Sequence, residues 1–408
     1  MKKRKKVNND LSHQKISIAH HRNEFIRNLK EFCDKTIHQN IFLYMPDEAV
    51  NNLYKIRSQP IKIRTTKGVP NDTLIDMKRL ITDLLKHKQI DFGVGDIACI
   101  SLHDYFTNVL TLILYAKDLK IDAYKNAFKV KEILSTYSNM GDGDIYKKAW
   151  FELDNVAKTA VFFYNNLSKY IFVIKHELTS SINGRVGLCN CLDVYAIQPE
   201  RTHVVIEGVK RPVFGVAFGI ILPTPHLMYA TINPETLGMP SGKPFTVFIQ
   251  AHALNRLEER LDGIITGLLQ FNLFDSLMKQ KVCKSKKGEY LFDFFLFGKK
   301  VGYLCGNLVD DKIIIRTFLF ITNNGTPEGE KLHANTGIMK EDKMYLAIDK
   351  LSTFIRSDIE KNEAVKNMFI KAGCASLFEI DDKVIFEQQS LKEKNNAELI
   401  AQYLKLLM

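Results

Sequence analysis

Long apolar runs are missing from this 408-residue chain. The best candidate, Phe214 to Leu222, is interrupted by glycines and closed by Pro223, well short of the roughly 18 residues of a membrane span. No apolar core follows the basic residues at the start, which excludes a secretory leader there. Cysteine is sparse and odd in number, with seven scattered residues, which excludes a disulfide-stapled scaffold and leads us to expect free thiols and a cytoplasmic setting. Cys189 and Cys191 form a C-x-C with no second Cys or His pair at ligand spacing, so alternation along a strand explains them better than zinc. The phosphate-loop lysine motif, H-E-x-x-H and G-x-S-x-G are all absent, which removes the main signals for a P-loop ATPase, a zincin and an α/β-hydrolase. Gly93-Val-Gly95 lacks the third glycine of a dinucleotide loop, and Asp142 with Asp144 lacks the remaining ligands of a calcium loop. No cofactor and no metal are therefore expected.

What is present is an ordinary globular balance, 46% apolar and 25% charged, in a chain long enough for two or three folded units. The formal net charge is +11, and it is unevenly placed. Residues 1–70 hold 15 Lys and Arg against 6 Asp and Glu, or +9, and leave a nearly neutral body. Lys2, Lys3, Arg4, Lys5 and Lys6, followed by Arg22, Arg27 and Lys30 on an amphipathic helix over 20–37, read as an electrostatic handle for a polyanion. A solubilising tail is the plainer use of the same run.

Hydrophobic periodicity divides the rest. Residues 1–70 form a basic, partly helical region and 71–168 a helical domain, so that the first 168 residues read as almost entirely α. Asp72 and Ser101-Leu-His-Asp104 supply helix caps within that stretch. From 169 to 335 the texture becomes β-rich, with Asn183-Gly184 as a hairpin dipeptide and three late strands joined by short turns into an antiparallel meander. One long helix, Ala251 to about Met278, interrupts the strands. Residues 336–408 return to helix, with Leu346, Ile348, Leu351, Phe354 and Ile355 as core candidates and a last polar helix near 390–407. The fold class is α+β: a mostly helical N-terminal half, an antiparallel β-rich body with one central helix, and a helical C-terminus.

The most pointed stretch opens that central helix, His252-Ala-Leu-Asn-Arg256-Leu-Glu-Glu259-Arg260. At about 100° per residue, Arg256, Glu259 and Arg260 all fall within roughly 80° of His252, while Leu254, Leu257, Leu261, Ile264 and Leu268 face the other way. An imidazole moves protons at neutral pH, and guanidiniums hold a phosphodiester at two points and neutralise charge that develops on it. A solvated face of paired charges carries the same pattern.

The run His252-Ala253-x-x-Arg256-x-x-x-Arg260, arriving from a strand and followed by an antiparallel meander, resembles the corresponding helix of small toxin-like ribonuclease domains of prokaryotes, the group that includes barnase, colicin-type and RelE-like folds. The likeness covers about residues 245–335. It implies one or two helices packed on a curved antiparallel sheet, with a cleft that cleaves RNA without a metal. It assigns His252 as acid/base and Arg256 and Arg260 as phosphate ligands. Ile315 to Asn323 resembles the late strand that supplies polar side chains to such clefts, which adds Arg316, Thr317 and Thr322. Such domains are short and stand alone, whereas this one is embedded in 408 residues. The expected partner is RNA or another nucleic acid, with a protein inhibitor or complex partner as a further possibility and no membrane. The expected function is nucleic-acid interaction, extending to metal-independent endoribonuclease activity. The alternatives are a non-catalytic interaction or structural accessory protein of a mobile element or virus, and a DNA-binding regulator.

Overall fold

A computed structural model describes residues 2–381 apart from 67, 142, 183–184 and 207; the side chains of 2–18 and 180–187 lie outside that description. The expected hairpin dipeptide Asn183-Gly184, Asp142 and the helix near 390–407 therefore lie outside the described residues. The fold is α+β. The chain gathers into two compact units, residues 1–160 with 174–195 and residues 161–173 with 196–408. The boundaries expected at 70 and 335 fall inside these units.

The first unit opens with the helix Lys2–Thr36, whose stripe Leu29, Phe32 and Cys33 is buried as its spacing predicts. The helix Asn71–His87 starts two residues before its expected entry: Pro70, not Asp72, is the N-cap, extended and without a side-chain bond, and Asp72 lies in the first turn. The cap at Ser101 forms as expected, its Oγ accepting from the Asp104 N–H at 3.0 Å and donating to the Asp104 carboxylate at 2.7 Å.

This region is less helical than its sequence suggests, because it contains three strands: β1 (Gln59–Thr65), β2 (Gln89–Val94) and β3 (Ile97–Ser101). β2 and β3 form a hairpin around Gly95-Asp96, which gives Gly93 and Gly95 a structural use as left-handed turn residues. β1 pairs in parallel with a strand more than 120 residues away. That partner is β5 (Arg185–Ile197), which in turn borders β4 (Ile171–Ile182) in a sheet of order β1-β5-β4. No local pattern in Gln59–Thr65 announces such a distant partner, and Pro60 disguises it as a turn. Cys189 and Cys191 alternate along β5, both fully buried.

The second unit is built on an eight-stranded mixed sheet. Its chain order begins with β6 (Arg201–Ile206) and β7 (Val209–Gly215). β8 (Ala217–Ile221) and β9 (Pro225–Tyr229) turn aside as a separate two-stranded ribbon. The apolar run Phe214 to Leu222 is thus divided at Val216 between two sheets. β10 (Thr231–Ile232) and β11 (Phe245–Gln250) rejoin the main sheet. The expected meander follows as β13 (Tyr290–Leu296), β14 (Lys299–Val309) and β15 (Lys312–Phe320), preceded by a short β12 (Val282–Lys284). The sheet order is β12-β13-β14-β15-β11-β7-β6, with β11 and β15 parallel.

The central helix is two helices, Ala251–Arg260 and Thr266–Met278. Gly263 takes a left-handed φ of 84°, and the Asp262 carboxylate accepts from both the N–H and the hydroxyl of Ser352, at 3.0 and 2.7 Å. That tether fixes a bend which the unbroken leucine pattern conceals. Leu254, Leu257, Leu261, Ile264 and Leu268 are all buried, in one cluster with Val247, Ile249, Ile313, Ile315, Phe318 and Phe320 of the sheet. The C-terminal residues Leu346, Ile348, Leu351 and Phe354 belong to the same cluster, so the described part of the C-terminus is part of this unit's core. Among the described residues, the opposite sheet face carries two small apolar clusters, one around Val213, Phe248 and Ile314 and the other around Leu291, Tyr303 and Cys305. That face bears the candidate site.

Candidate active site

Three of the sequence candidates, His252, Arg316 and Thr317, line one cavity of about 930 Å³ in the second unit. Its floor is Gln250, Leu291, Cys305, Thr317 and Leu319, from four neighbouring strands. One wall is the β12–β13 turn with Lys284, Lys286, Lys287 and Glu289, and another is the loop Asn324–Pro327 with Glu330; Arg211 of β7 lies at the side.

Each contribution has a local cause. β11 ends at Gln250, and the chain turns directly into the helix Ala251–Arg260, so His252 stands in its first turn. Gln250 is the N-cap, yet its side chain makes no capping bond. The open N–H groups of that turn and the positive end of the helix dipole favour an anion there. Gln250 is 6% exposed and its amide nitrogen has no hydrogen-bond partner, a state that costs about 1–3 kcal/mol in a folded interior. Arg316 owes its place to a β-bulge. Thr317 pairs with Cys305 and Ile315 with Gly306, so Arg316 is the extra residue of β15. A bulge re-aims a side chain that strict alternation would fix.

The walls are braced. In the β12–β13 turn the Ser285 hydroxyl accepts from the N–H groups of Lys287 and Glu289, at 3.2 and 3.1 Å, and Gly288 supplies the left-handed φ of 83°. Both lysines at its tip are exposed. Lys286 reaches Glu330 at 2.7 Å and holds that carboxyl below its ordinary range. Thr326 donates to the carbonyls of Ile321 and Asn323 and accepts from the Gly329 N–H, which pins the second loop. Beneath it Lys343, 1% exposed, donates to Asn324 Oδ1 at 2.6 Å and to the Gly329 carbonyl at 3.1 Å. Burial pulls the Lys343 ammonium down to about 8.

Five cationic side chains thus face two carboxylates around the cavity. Arg316 approaches Glu289 at 3.8 Å, both about one-third exposed. Burial, and then the Glu289 charge, push the Cys305 thiol up to about 12, so it stays protonated and offers no nucleophile.

The other assigned residues lie elsewhere. Arg256 is a full turn further along the helix, outside the cavity lining, and its guanidinium is held by Glu259 at 2.6 Å. Arg260 is buried against Asp349, which is 2% exposed, so its charge neutralises a core carboxylate. Thr322 is fully buried and donates to the Ile348 carbonyl at 2.7 Å, joining two loops of the core. The single cationic stripe expected on this helix is therefore not one site: only its first turn opens onto the cavity.

In the other unit, Arg27 and Lys30 are exposed and Arg22 donates to Asn51 at 2.8 Å. Lys2, Lys3, Arg4, Lys5 and Lys6 stand on the same helix, but their side chains lie outside the described residues. Sequence reasoning missed Arg211, Gln250, Lys284, Lys286, Lys287 and Glu289. The pair Lys286-Lys287 before Gly288 is a basic hairpin tip, a signal that was open to reading; Arg211 and Gln250 join the site only through strand pairing. Among the described residues no helix is long and apolar enough to cross a membrane, and no group of three or more His, Cys, Asp and Glu is placed to hold a metal ion. No protein family, curated protein or solved structure matches the chain.

Proposed function

We propose that the cavity on the open face of the mixed sheet binds the sugar–phosphate backbone of RNA, and that His252 and Glu289 cleave it there by proton transfer. The observation that carries this reading is the convergence of an imidazole, a bulged arginine, a threonine and an uncapped helix N-terminus in one cation-lined hollow. Arg316 and the first-turn N–H groups grip the phosphate and take up charge as it develops, and Arg211 and the turn lysines add sequence-independent attraction. Glu289 takes the proton of the ribose 2′-hydroxyl as that oxygen bonds to phosphorus. His252 in its protonated form gives a proton to the 5′-oxygen as the bond between that oxygen and phosphorus breaks. The products are a 2′,3′-cyclic phosphate and a free 5′-hydroxyl, and the chain needs only a base, an acid and an anion stabiliser to make them.

Incubation with a mixed-sequence single-stranded RNA in excess EDTA, with end-group analysis of the products, tests this. His252→Ala lowers the cleavage rate by about 100- to 10,000-fold with an unchanged Tm. Intact RNA after prolonged incubation with the folded wild-type protein contradicts the catalytic step. Binding that persists without scission then leaves a nucleic-acid-binding module.

A further inference from the structure

The first unit contains its own cavity, of about 900 Å³, between the helix Lys2–Thr36, the entry to β1 and the stretch 101–108. Its wall holds two buried polar atoms with no hydrogen-bond partner, Ser58 Oγ and Gln59 Nε2. Ser58 is 2% exposed, and its N–H is already satisfied by Thr111 Oγ1 at 2.9 Å, so only its hydroxyl is unmet. Two adjacent unmet groups are a standing cost to folding, at a position where alanine and methionine would fill the same space without it. Neither group gives up a hydrogen bond by turning into the cavity.

The rest of the lining indicates what would meet them. Phe25 and Tyr54 lie 5.6 Å apart with their rings tilted 59° to one another, and the Arg57 guanidinium sits 3.7 Å over the Tyr54 ring, an aromatic and cationic surface on one side. Asn108 reaches the wall from a π-helical turn over Tyr105–Val109, closed by the Leu110 N–H on the Tyr105 carbonyl; such single turns recur at binding sites. Primary amides pair a donor with an acceptor in one plane, the arrangement that reads a base edge. The volume lies within the range of small-molecule sites.

We infer that this cavity is a nucleoside-binding site, in which the base lies on the Tyr54–Arg57 stack and its edge is read by Gln59, Ser58 and Asn108. The inference is independent of the reading of the basic cavity, and its test does not involve RNA cleavage. The full chain is titrated with adenosine, guanosine, cytidine and uridine, and with their 5′-monophosphates, by calorimetry and thermal shift. At least one binds with micromolar to sub-millimolar Kd. Ser58→Ala and Gln59→Met each weaken that binding about tenfold. Each variant also raises the Tm of the unliganded protein by about 1–3 °C, because a buried unmet group has gone; a merely structural residue would lower it. Absence of binding by all eight compounds at millimolar concentration overturns the inference, and so does undiminished binding by both variants.

Discussion

The helix Ala251–Arg260 begins and ends in opposite surroundings. At its first turn His252 is exposed at the lip of a hollow lined by five cationic side chains, beside an amide with no partner. At its last residue Arg260 is sealed against Asp349 and belongs to the core. Arg256, between them, is half-exposed and paired within the helix. Ten residues thus divide one kind of chemistry, cationic side chains on a common arc, into binding, packing and solvation. A helical wheel sorts residues by angle around an axis; this division runs along the axis, where the wheel carries no information.

The sharpest break in that comparison is Arg260→Met. It leaves Asp349 buried without its partner and lowers stability by about 3–5 kcal/mol, measured by urea unfolding. A loss under 1 kcal/mol would place Arg260 with the solvated group.

Next in size is the pH response of the cavity's second loop. Folding takes Lys343 from an ordinary amine down to about 8, so the unfolded chain holds this proton more tightly. Stability from this group is fully present above the unfolded value near 10.5 and is lost as pH falls to about 8. The span corresponds to a change of order 3 kcal/mol. Lys343→Met removes that slope, so the difference in stability between wild type and variant shifts in favour of wild type from pH 8 to pH 10. Parallel pH profiles for the two proteins would show that the ammonium is not strained by its burial.

Much of the architecture was readable from periodicity. The leucine stripe of the central helix, the meander β13–β15 and the core residues of the C-terminus lie where spacing predicts, because short connections and amphipathic faces are local properties. β1 was not readable, since its partner in β5 is more than 120 residues away, and neither was the bend at Gly263, since Ser352 enforces it. The site divides in the same way. His252 could be named from its local pattern; Arg316 and Thr317 entered only through the resemblance of their strand, and Arg316 is aimed by a bulge that exists only once β14 is alongside. Arg260 failed as a phosphate ligand for the reciprocal reason: Asp349, nearly 90 residues on, takes its charge.

The most direct measurement compares Arg316→Gln with Arg256→Gln in RNA affinity as a function of salt, using a labelled single strand. If the cavity is the binding surface, Arg316→Gln weakens binding and lowers the slope of log K against log salt by about 1, while Arg256→Gln leaves both unchanged. The reverse pattern, or equal loss from both, would return the phosphate to the outer face of the helix and remove the cavity from the account.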